Sequence, residues 1–192
     1  TVNKRRNVYS ESKYLAEKFL LNEINCLKNK KVFILRPSII FGKNVKGNLK
    51  LIKKIVRYNL FWPFGKFKNK ISVLDIRNLN YTLLYLINNN VDSGIYNISN
   101  NKPIELNQLI IKINKIMNKK ARILFVNKTI IKGIFSTGNF FNLPFLNMET
   151  YSKITDDNIV SNKKILKEHG KFPFNNDDGI NFILMNKIIP IK

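Results

Sequence analysis

A short apolar run near the start of the chain constrains the fold more than any other feature. KVFILR, residues 31–36, combines β-branched and large apolar side chains and stops at Pro37, whose ring disfavours continuation of a strand. An apolar run without polar alternation is typical of a strand in a parallel sheet, where both faces are covered. The sequence therefore predicts a buried strand that ends at the proline.

Helix and strand patterns alternate along much of the remaining chain. The spacing of apolar residues predicts helices over residues 9–28, 49–60, 79–90, 104–120, 162–170 and 179–188, and further strands over 71–76 and 93–99. Residues 42–47 are predicted to form a loop, 63–70 a polar turn, and 128–146 a helix with an irregular loop. Alternation of this kind is typical of an α/β domain with a parallel sheet.

The length and the single cysteine limit the class of protein. A chain of 192 residues suits one domain, or one domain with a small lobe. No run of 18 apolar residues is present and the first residues lack an apolar segment, so neither a membrane span nor a signal peptide is predicted. Cys26 cannot form an internal disulfide, and no Cys/His cluster suggests zinc. We therefore expect a cytoplasmic protein without a metal site.

The strong positive charge has two explanations. A net charge of +22 is typical of proteins that bind nucleic acid or an anionic surface. The abundance of Lys, Ile, Phe and Asn also matches A/T-rich codons, and the tightest basic group, Lys4–Arg6, is shorter than an interaction tail. We expect no specific nucleic-acid partner, although weak salt-sensitive binding to polyanions is expected.

Tyr9 and Lys13 have a spacing that suits proton transfer. Four residues apart on a helix, they lie on one face, and an ammonium beside a phenol stabilises the phenolate and lowers the pKa of the tyrosine. The pattern alone is weak, because about one such pair is expected by chance. Tyr14 and Lys18 form a second pair on the same predicted helix. For either pair in isolation, coincidence is the favoured explanation.

The order of several motifs makes the first pair more specific. The segments YSESKYLAEKFL, LRPSIIFG, VKGNLKLI, PFGKFKNK, ISVLDIRNL and GIYNIS follow one another along the chain. In this order they resemble the NAD-dependent epimerase/dehydratase family of the extended short-chain dehydrogenase/reductase superfamily, over roughly Tyr9 to Gly179. VKGNL and PFGKFKNKIS look most like the branch of 4-epimerases and 4-keto-sugar reductases that act on UDP-N-acetylhexosamines for surface polysaccharide synthesis.

The resemblance implies a fold and a cofactor site. The expected fold is α/β: the C-terminal part of a Rossmann-like parallel-sheet domain plus a small α/β substrate-binding lobe. NAD, or NADP, would exchange a hydride at C4 of the sugar. Tyr9 would act as the catalytic acid/base, and Lys13 would lower its pKa and hold the nicotinamide ribose. The segment that passes the nicotinamide ring would be Pro37, Ser38, Ile39 and Ile40.

The resemblance also implies positions that contact the UDP-sugar substrate. Asn48 and Leu49 would contact the diphosphate and the base, and Phe64 and Gly65 would lie near the uracil. Each position also has a structural explanation when the family is set aside. Pro37 then ends a strand, Asn48 caps the next helix, and Gly65 serves a turn.

One substitution departs from the family pattern. The family usually has an arginine that grips the diphosphate where this chain has Ile71. An arginine fork binds two phosphate oxygens and an isoleucine binds none, so diphosphate binding is expected to need Lys70 or Arg77 instead.

A larger departure concerns the cofactor. The family's Gly-rich dinucleotide-binding half precedes the Tyr-Lys helix, whereas here eight residues precede Tyr9 and no GxGxxG is present. We expect residues 1–192 to form a partial domain whose cofactor site needs the missing N-terminal half. A homodimer through the Tyr9 helix is also consistent with the family. The alternative is a truncated, non-catalytic remnant or a basic interaction module.

Overall fold

The computed structural model describes residues 8–23, 30–41, 48–141, 143 and 146–185, and these form a mixed α/β structure. Its helices are α1 (Val8–Glu23), α2 (Asn48–Arg57), α3 (Ile76–Asn88), α4 (Leu106–Ile116), α5 (Lys128–Phe140), α6 (Met148–Thr155), α7 (Lys163–His169) and α8 (Asn176–Met185). Its strands are β1 (Phe33–Pro37), β2 (Ile39–Phe41), β3 (Lys70–Ile71), β4 (Val73–Asp75), β5 (Gly94–Ile98) and β6 (Ile104–Glu105).

Two of the three strand pairs are parallel, as the predicted fold class requires. β1 pairs with β5 from Phe33 opposite Gly94 to Pro37 opposite Ile98. β2 pairs in parallel with β4, while β3 and β6 form a short antiparallel pair. Pro37 has no N–H to donate, and the backbone N–H of Ser38 instead donates to the carbonyl of Ile98 over 2.9 Å. The chain therefore passes from β1 into β2 without losing contact with β5.

β4 lies between two hydrophobic clusters. Val73 belongs to the larger cluster, and its neighbour Leu74 belongs to the smaller one. Successive side chains of a strand point to opposite faces, so one short strand serves both clusters. The larger includes Phe41, Trp62, Phe64, Phe67, Leu109, Ile110, Ile131 and Phe135, and the smaller includes Leu86, Val91, Tyr96, Ile98, Ile165 and Phe172.

The last residue of β4, Asp75, is a fully buried carboxylate with several donors. It accepts the backbone N–H of Arg77 over 2.8 Å and so caps α3. The guanidinium of Arg77 donates to both carboxylate oxygens over 3.0 and 2.7 Å. The hydrogen bond that Arg77 donates to Asp75 raises the pKa of Arg77. Arg77 also lies over the ring of Phe174, 3.8 Å from the guanidinium carbon to the centroid. This pair therefore links β4, α3 and the C-terminal segment.

Hydrogen bonds of buried asparagine side chains stabilise the same region around Asp75. Asn100 Oδ1 accepts the backbone N–H of Asp75 over 2.9 Å and Asn78 Nδ2 over 2.7 Å. Asn78 Nδ2 also donates to the carbonyl of Phe174 over 2.7 Å, and Asn100 Nδ2 donates to Asn176 Oδ1 over 2.9 Å. Because buried amides are costly when unpaired, this network fixes the loop after β5 against the C-terminal segment.

Several predicted boundaries differ from the structure. The strand predicted over 71–76 is divided at Ser72, where the chain leaves the antiparallel pair with β6 and joins β2. α3 begins at Ile76, earlier than the predicted residue 79, because Asp75 supplies its cap. β2 and α6 were absent from the prediction. The predicted helix over 9–28 is observed as Val8–Glu23, and residues 24–29, like the predicted loop 42–47, lie outside the described residues.

The prediction of a polar turn over residues 63–70 is confirmed for the turn, at Gly65 and Lys66, but is wrong about its polar character. Phe64 and Phe67 are buried, with 6% and 5% of their surfaces exposed. The ring of Phe64 lies 4.6 Å from that of Trp62 and 6.1 Å from that of Phe135, measured between centroids. The lysines in the segment suggested a solvated turn, whereas the phenylalanines between them form part of the larger cluster.

The exposed edge of β1 predicts self-association. Within the described ranges, β1 is hydrogen-bonded to β5 alone, so its second edge presents unpaired backbone groups. We expect the purified chain to self-associate unless another segment pairs with this edge, as measured by multi-angle light scattering. A monodisperse monomer with a single cooperative transition in calorimetry would contradict this expectation.

Candidate active site

An ion pair joins the helix of the candidate catalytic pair to the end of β1. Arg36 Nε donates to Glu17 over 3.1 Å, and its Nη2 contacts the second carboxylate oxygen. Tyr9, Lys13 and Glu17 follow one another at intervals of four residues in α1, so they occupy neighbouring positions on one side of the helix. The side of α1 that carries residues 9 and 13 is therefore tied to the strand that leads into Pro37.

The segment after β1 contains a buried hydroxyl with an unused hydrogen-bonding capacity. Ser38 Oγ is buried and has no hydrogen-bond partner among the described residues. Pro37 is exposed, and Ile39 and Ile40 are half-buried. A buried hydroxyl without a partner is uncommon and costs free energy. Ser38 therefore offers a polar contact to a ligand at the junction of the two parallel strand pairs.

The residues predicted to contact the substrate lie in two places. Asn48 and Leu49 are the first two residues of α2. The ring of Phe64 packs in the larger hydrophobic cluster and is nearly inaccessible. Gly65 is also buried, and its N–H donates to the carbonyl of Leu124 over 2.9 Å. Phe64 and Gly65 themselves therefore have only backbone groups for a polar contact with a ligand, and their carbonyls already have a partner.

That partner is Asn107, on α4. Its Nδ2 donates to the carbonyls of Phe64, Gly65 and Phe67 over 3.3, 3.3 and 2.7 Å. Its Oδ1 accepts the indole N–H of Trp62 over 2.8 Å. One buried amide thus fixes the conformation of the whole aromatic turn.

The structure limits which cation could replace the arginine absent at Ile71. Ile71 is buried in the larger cluster, where a charged side chain would be unfavourable. Arg77 is committed to Asp75 and to the ring of Phe174. Lys70 is exposed, and its backbone N–H donates to Asp157 Oδ1 over 2.7 Å. Of Lys70 and Arg77, the two proposed replacements for the arginine, Lys70 alone has a side chain that is not held in a buried pair of the Arg77–Asp75 kind.

Sequence analysis missed three residues that organise this region. Glu17 could have been recognised, because it extends the four-residue spacing of Tyr9 and Lys13. Asn107 and Asn100 gave no such signal, since an asparagine in a chain rich in asparagine is unremarkable until its partners are known. Within the described residues, no group of His, Cys, Asp or Glu could hold a metal ion, and no helix could cross a membrane.

Comparisons with known proteins find similarity over parts of the chain. The family model described as "Male sterility protein", an NAD-binding family, matches residues 1–64. An N-acetyl-alpha-D-glucosaminyl-diphospho-ditrans,octacis-undecaprenol 4-epimerase from Escherichia coli O157:H7 is 29% identical over 117 residues, which cover 59% of this chain and 35% of that protein. Over part of its length the chain is similar to enzymes of the NAD-dependent epimerase/dehydratase kind.

Solved structures support the predicted fold class. The Bordetella bronchiseptica enzyme WbmG in complex with NAD and UDP matches with a TM-score of 0.64 and 14% identity, over 94% of this chain and 50% of that chain. The Thermus thermophilus UDP-glucose 4-epimerase in complex with NAD matches with a TM-score of 0.64 and 11% identity, over 94% of this chain and 53% of that chain. The chain thus spans about half the length of these structures, and its fold is a Rossmann-like α/β arrangement.

Gly65 provides a test of the aromatic turn. A Cβ at this position would lie 2.8 Å from both the carbonyl oxygen of Leu124 and a methyl carbon of Ile123. We expect Gly65→Ala to lower the free energy of unfolding by roughly 1–3 kcal/mol, because neighbouring backbone would have to move. Urea unfolding followed by the fluorescence of Trp62, the single tryptophan, reports on the same cluster.

Gly133→Ala is the matched control for this measurement. A Cβ there meets no heavy atom within 4 Å, and the position is inside α5. Alanine is favoured over glycine in a helix by about 1 kcal/mol, so we expect this variant to be more stable than the parent chain. Equal stability changes in the two variants would disprove the close packing assigned to Gly65.

Proposed function

We propose that this chain supplies the proton-transfer pair and the substrate lobe of an NAD(P)-dependent 4-epimerase or 4-keto-sugar reductase. The proposed substrates are sugar diphosphates, with UDP-N-acetylhexosamines as the first class to test. The observation that carries the proposal is the ion pair between Arg36 and Glu17, which ties the Tyr9 helix to the end of β1. The resemblance to the epimerase/dehydratase family supplies the proton-transfer roles that we propose for Tyr9 and Lys13.

In this proposal Tyr9 moves the hydroxyl proton at C4 of the sugar. Its phenol donates the proton to the oxygen of a 4-keto sugar, or its phenolate accepts the proton from a C4 hydroxyl. Lys13, one helical turn away, stabilises the phenolate by its positive charge. Glu17 acts as a positioning residue, because it fixes this helix to β1 through Arg36.

The residues present fit one end of a dinucleotide. When bound, NAD(P) supplies hydride transfer at C4 of the sugar. Lys13 would contact the nicotinamide ribose, and Pro37, Ser38, Ile39 and Ile40 would pass the nicotinamide end. The buried Ser38 hydroxyl, which has no partner among the described residues, supports this placement, since it could hydrogen-bond to a carboxamide. The pyrophosphate would need a Gly-rich turn, which we propose a further segment supplies, on the same polypeptide or another.

A diphosphate occurs in the compounds that are named for two similar proteins. The E. coli protein is named for a diphosphate linked to N-acetylglucosamine and a polyprenol, and WbmG was solved with UDP. In this chain the first residues of α2, Asn48 and Leu49, would offer backbone N–H groups to such an anion. Lys70, exposed beside the buried Ile71, would add a positive charge. Epimerase and reductase chemistry both use the same Tyr9 and Lys13 roles.

Replacing the catalytic tyrosine tests this assignment. In the chain completed by a Gly-rich half, we expect Tyr9→Phe to reduce turnover about a hundredfold or more, because general acid–base catalysis of this size is lost. Turnover is measured by product formation from UDP-N-acetylglucosamine and, in parallel, from a lipid-linked N-acetylglucosaminyl diphosphate. Tyr14→Phe, in the second YxxxK pair of the same helix, is the matched control and should retain activity.

Near-normal turnover of Tyr9→Phe would remove the proposed role of this residue. Equal losses in Tyr9→Phe and Tyr14→Phe would show that the helix is merely sensitive to substitution. If the chain proved inactive in every completed form, the alternative of a non-catalytic module would be favoured.

A further inference from the structure

An exposed apolar surface lies on the segments around the larger hydrophobic cluster. We call it the outer face and define it by five residues: Leu60, Phe61, Phe125, Ile130 and Ile134. Their exposed fractions are 53%, 58%, 68%, 57% and 49%, respectively. Single exposed apolar residues are normal, but neighbouring groups of this kind mark contact surfaces.

Hydrogen bonds bring the separate parts of the outer face together. The backbone N–H of Trp62 donates to the carbonyl of Arg122 over 2.8 Å, and the N–H of Leu124 donates to the carbonyl of Trp62 over 2.8 Å. Phe61 therefore lies beside the segment that leads to Phe125. Two residues after Phe125, the side chain of Asn127 caps the start of α5.

The outer face is not needed to bury α5. Ile131 and Phe135 lie on the inner side of this helix and are 3% and 6% exposed. Ile130 and Ile134, also four residues apart, form a separate stripe on the exposed side. Burial in the larger cluster explains why Ile131 and Phe135 are apolar. Burial among the described residues does not explain why Ile130 and Ile134 are apolar.

The segments that form the outer face contain basic residues and no acidic ones. Neither residues 50–74 nor residues 106–148 contain an Asp or Glu, while both stretches are rich in Lys and Arg. The guanidinium carbon of Arg122 lies 5.3 Å from the ring centroid of Phe61. Lys128 and Lys132 are exposed in the first two turns of α5. Cations are thus interleaved with exposed aromatic and aliphatic side chains.

We propose that the outer face binds the surface of an anionic phospholipid membrane. Aromatic and aliphatic side chains enter the boundary between headgroups and acyl chains, while neighbouring Lys and Arg bind lipid phosphates. Each basic residue near the membrane surface adds electrostatic attraction to an anionic leaflet. The chemistry on this face matches both requirements of a peripheral membrane-binding site.

Two other occupants suit the observations less well. A second copy would bring two faces without acidic residues together, and like charges would repel. A nucleic acid would use the cations and could stack on Phe61 and Phe125, but it would leave Ile130 and Ile134 without a partner. The inference concerns a surface outside the Tyr9–Lys13 region and is independent of the proposed catalytic function.

Vesicle flotation tests the inference directly, since bound protein rises with the vesicles and aggregated protein sinks. The chain is mixed with vesicles of phosphatidylcholine alone, or of phosphatidylcholine and phosphatidylglycerol in equal parts. We expect flotation with the anionic vesicles, and weaker flotation at high salt. Phe61→Ser/Phe125→Ser should weaken partitioning at least about tenfold, because it removes two inserting side chains.

A matched control separates this surface from general hydrophobicity. Leu84→Ser/Ile87→Ser removes exposed apolar side chains of α3, which are 61% and 75% exposed, and should leave partitioning unchanged. A basic pair provides a second control: Arg122→Gln/Lys132→Gln should weaken binding more than Lys163→Gln/Lys167→Gln on α7.

Three results would overturn the inference. One is failure of the parent chain to float with anionic vesicles. Another is equal loss in the outer-face and α3 variants. The third is that the chain does not bind vesicles and instead uses Phe61 and Phe125 either to bind single-stranded RNA or to self-associate.

Discussion

The structure depends on burying one charged residue between two hydrophobic clusters. Val73 and Leu74 occupy opposite faces of β4, so both clusters meet at this short strand. The next residue, Asp75, is fully buried, and an unpaired carboxylate there would be strongly unfavourable. Arg77 supplies the donors that make the burial tolerable, through its backbone N–H and its guanidinium. Asn100, in the loop after β5, accepts the backbone N–H of Asp75, so the contacts of this one residue order several elements.

This arrangement sets the position of the candidate active site. β4 pairs with β2, and β2 begins one residue after Ser38. β1 is held on β5 by a continuous parallel register, and Arg36 connects β1 to Glu17 on α1. The helix with Tyr9 and Lys13 is thus linked by ordered steps to the buried core. Catalytic pairs need such support, because small changes in geometry cost large factors in rate.

The α/β class and most long elements were predictable because they rest on local patterns. The apolar run of residues 31–36 and the amphipathic pattern of α4 are properties of neighbouring residues. The break at Ser72 and the burial of Phe64 were not predictable, since both depend on segments distant in sequence. Asn107 illustrates the same limit, because its role is defined by the carbonyls of residues 64, 65 and 67. At the candidate site, the motif resemblance led to the proposal of positions 9 and 13, whereas the ion pair of Glu17 with Arg36 became visible only in the structure.

The central claim is that Tyr9 and Lys13 belong to a cofactor site that a Gly-rich half completes. Titration with NADH, followed by its fluorescence, tests this claim on the chain alone and on the chain joined in frame to a Gly-rich dinucleotide-binding segment. The account predicts saturable binding by the joined protein and none by the chain alone. Tight, saturable binding by the isolated chain would contradict it, as would a folded joined protein that binds no NADH.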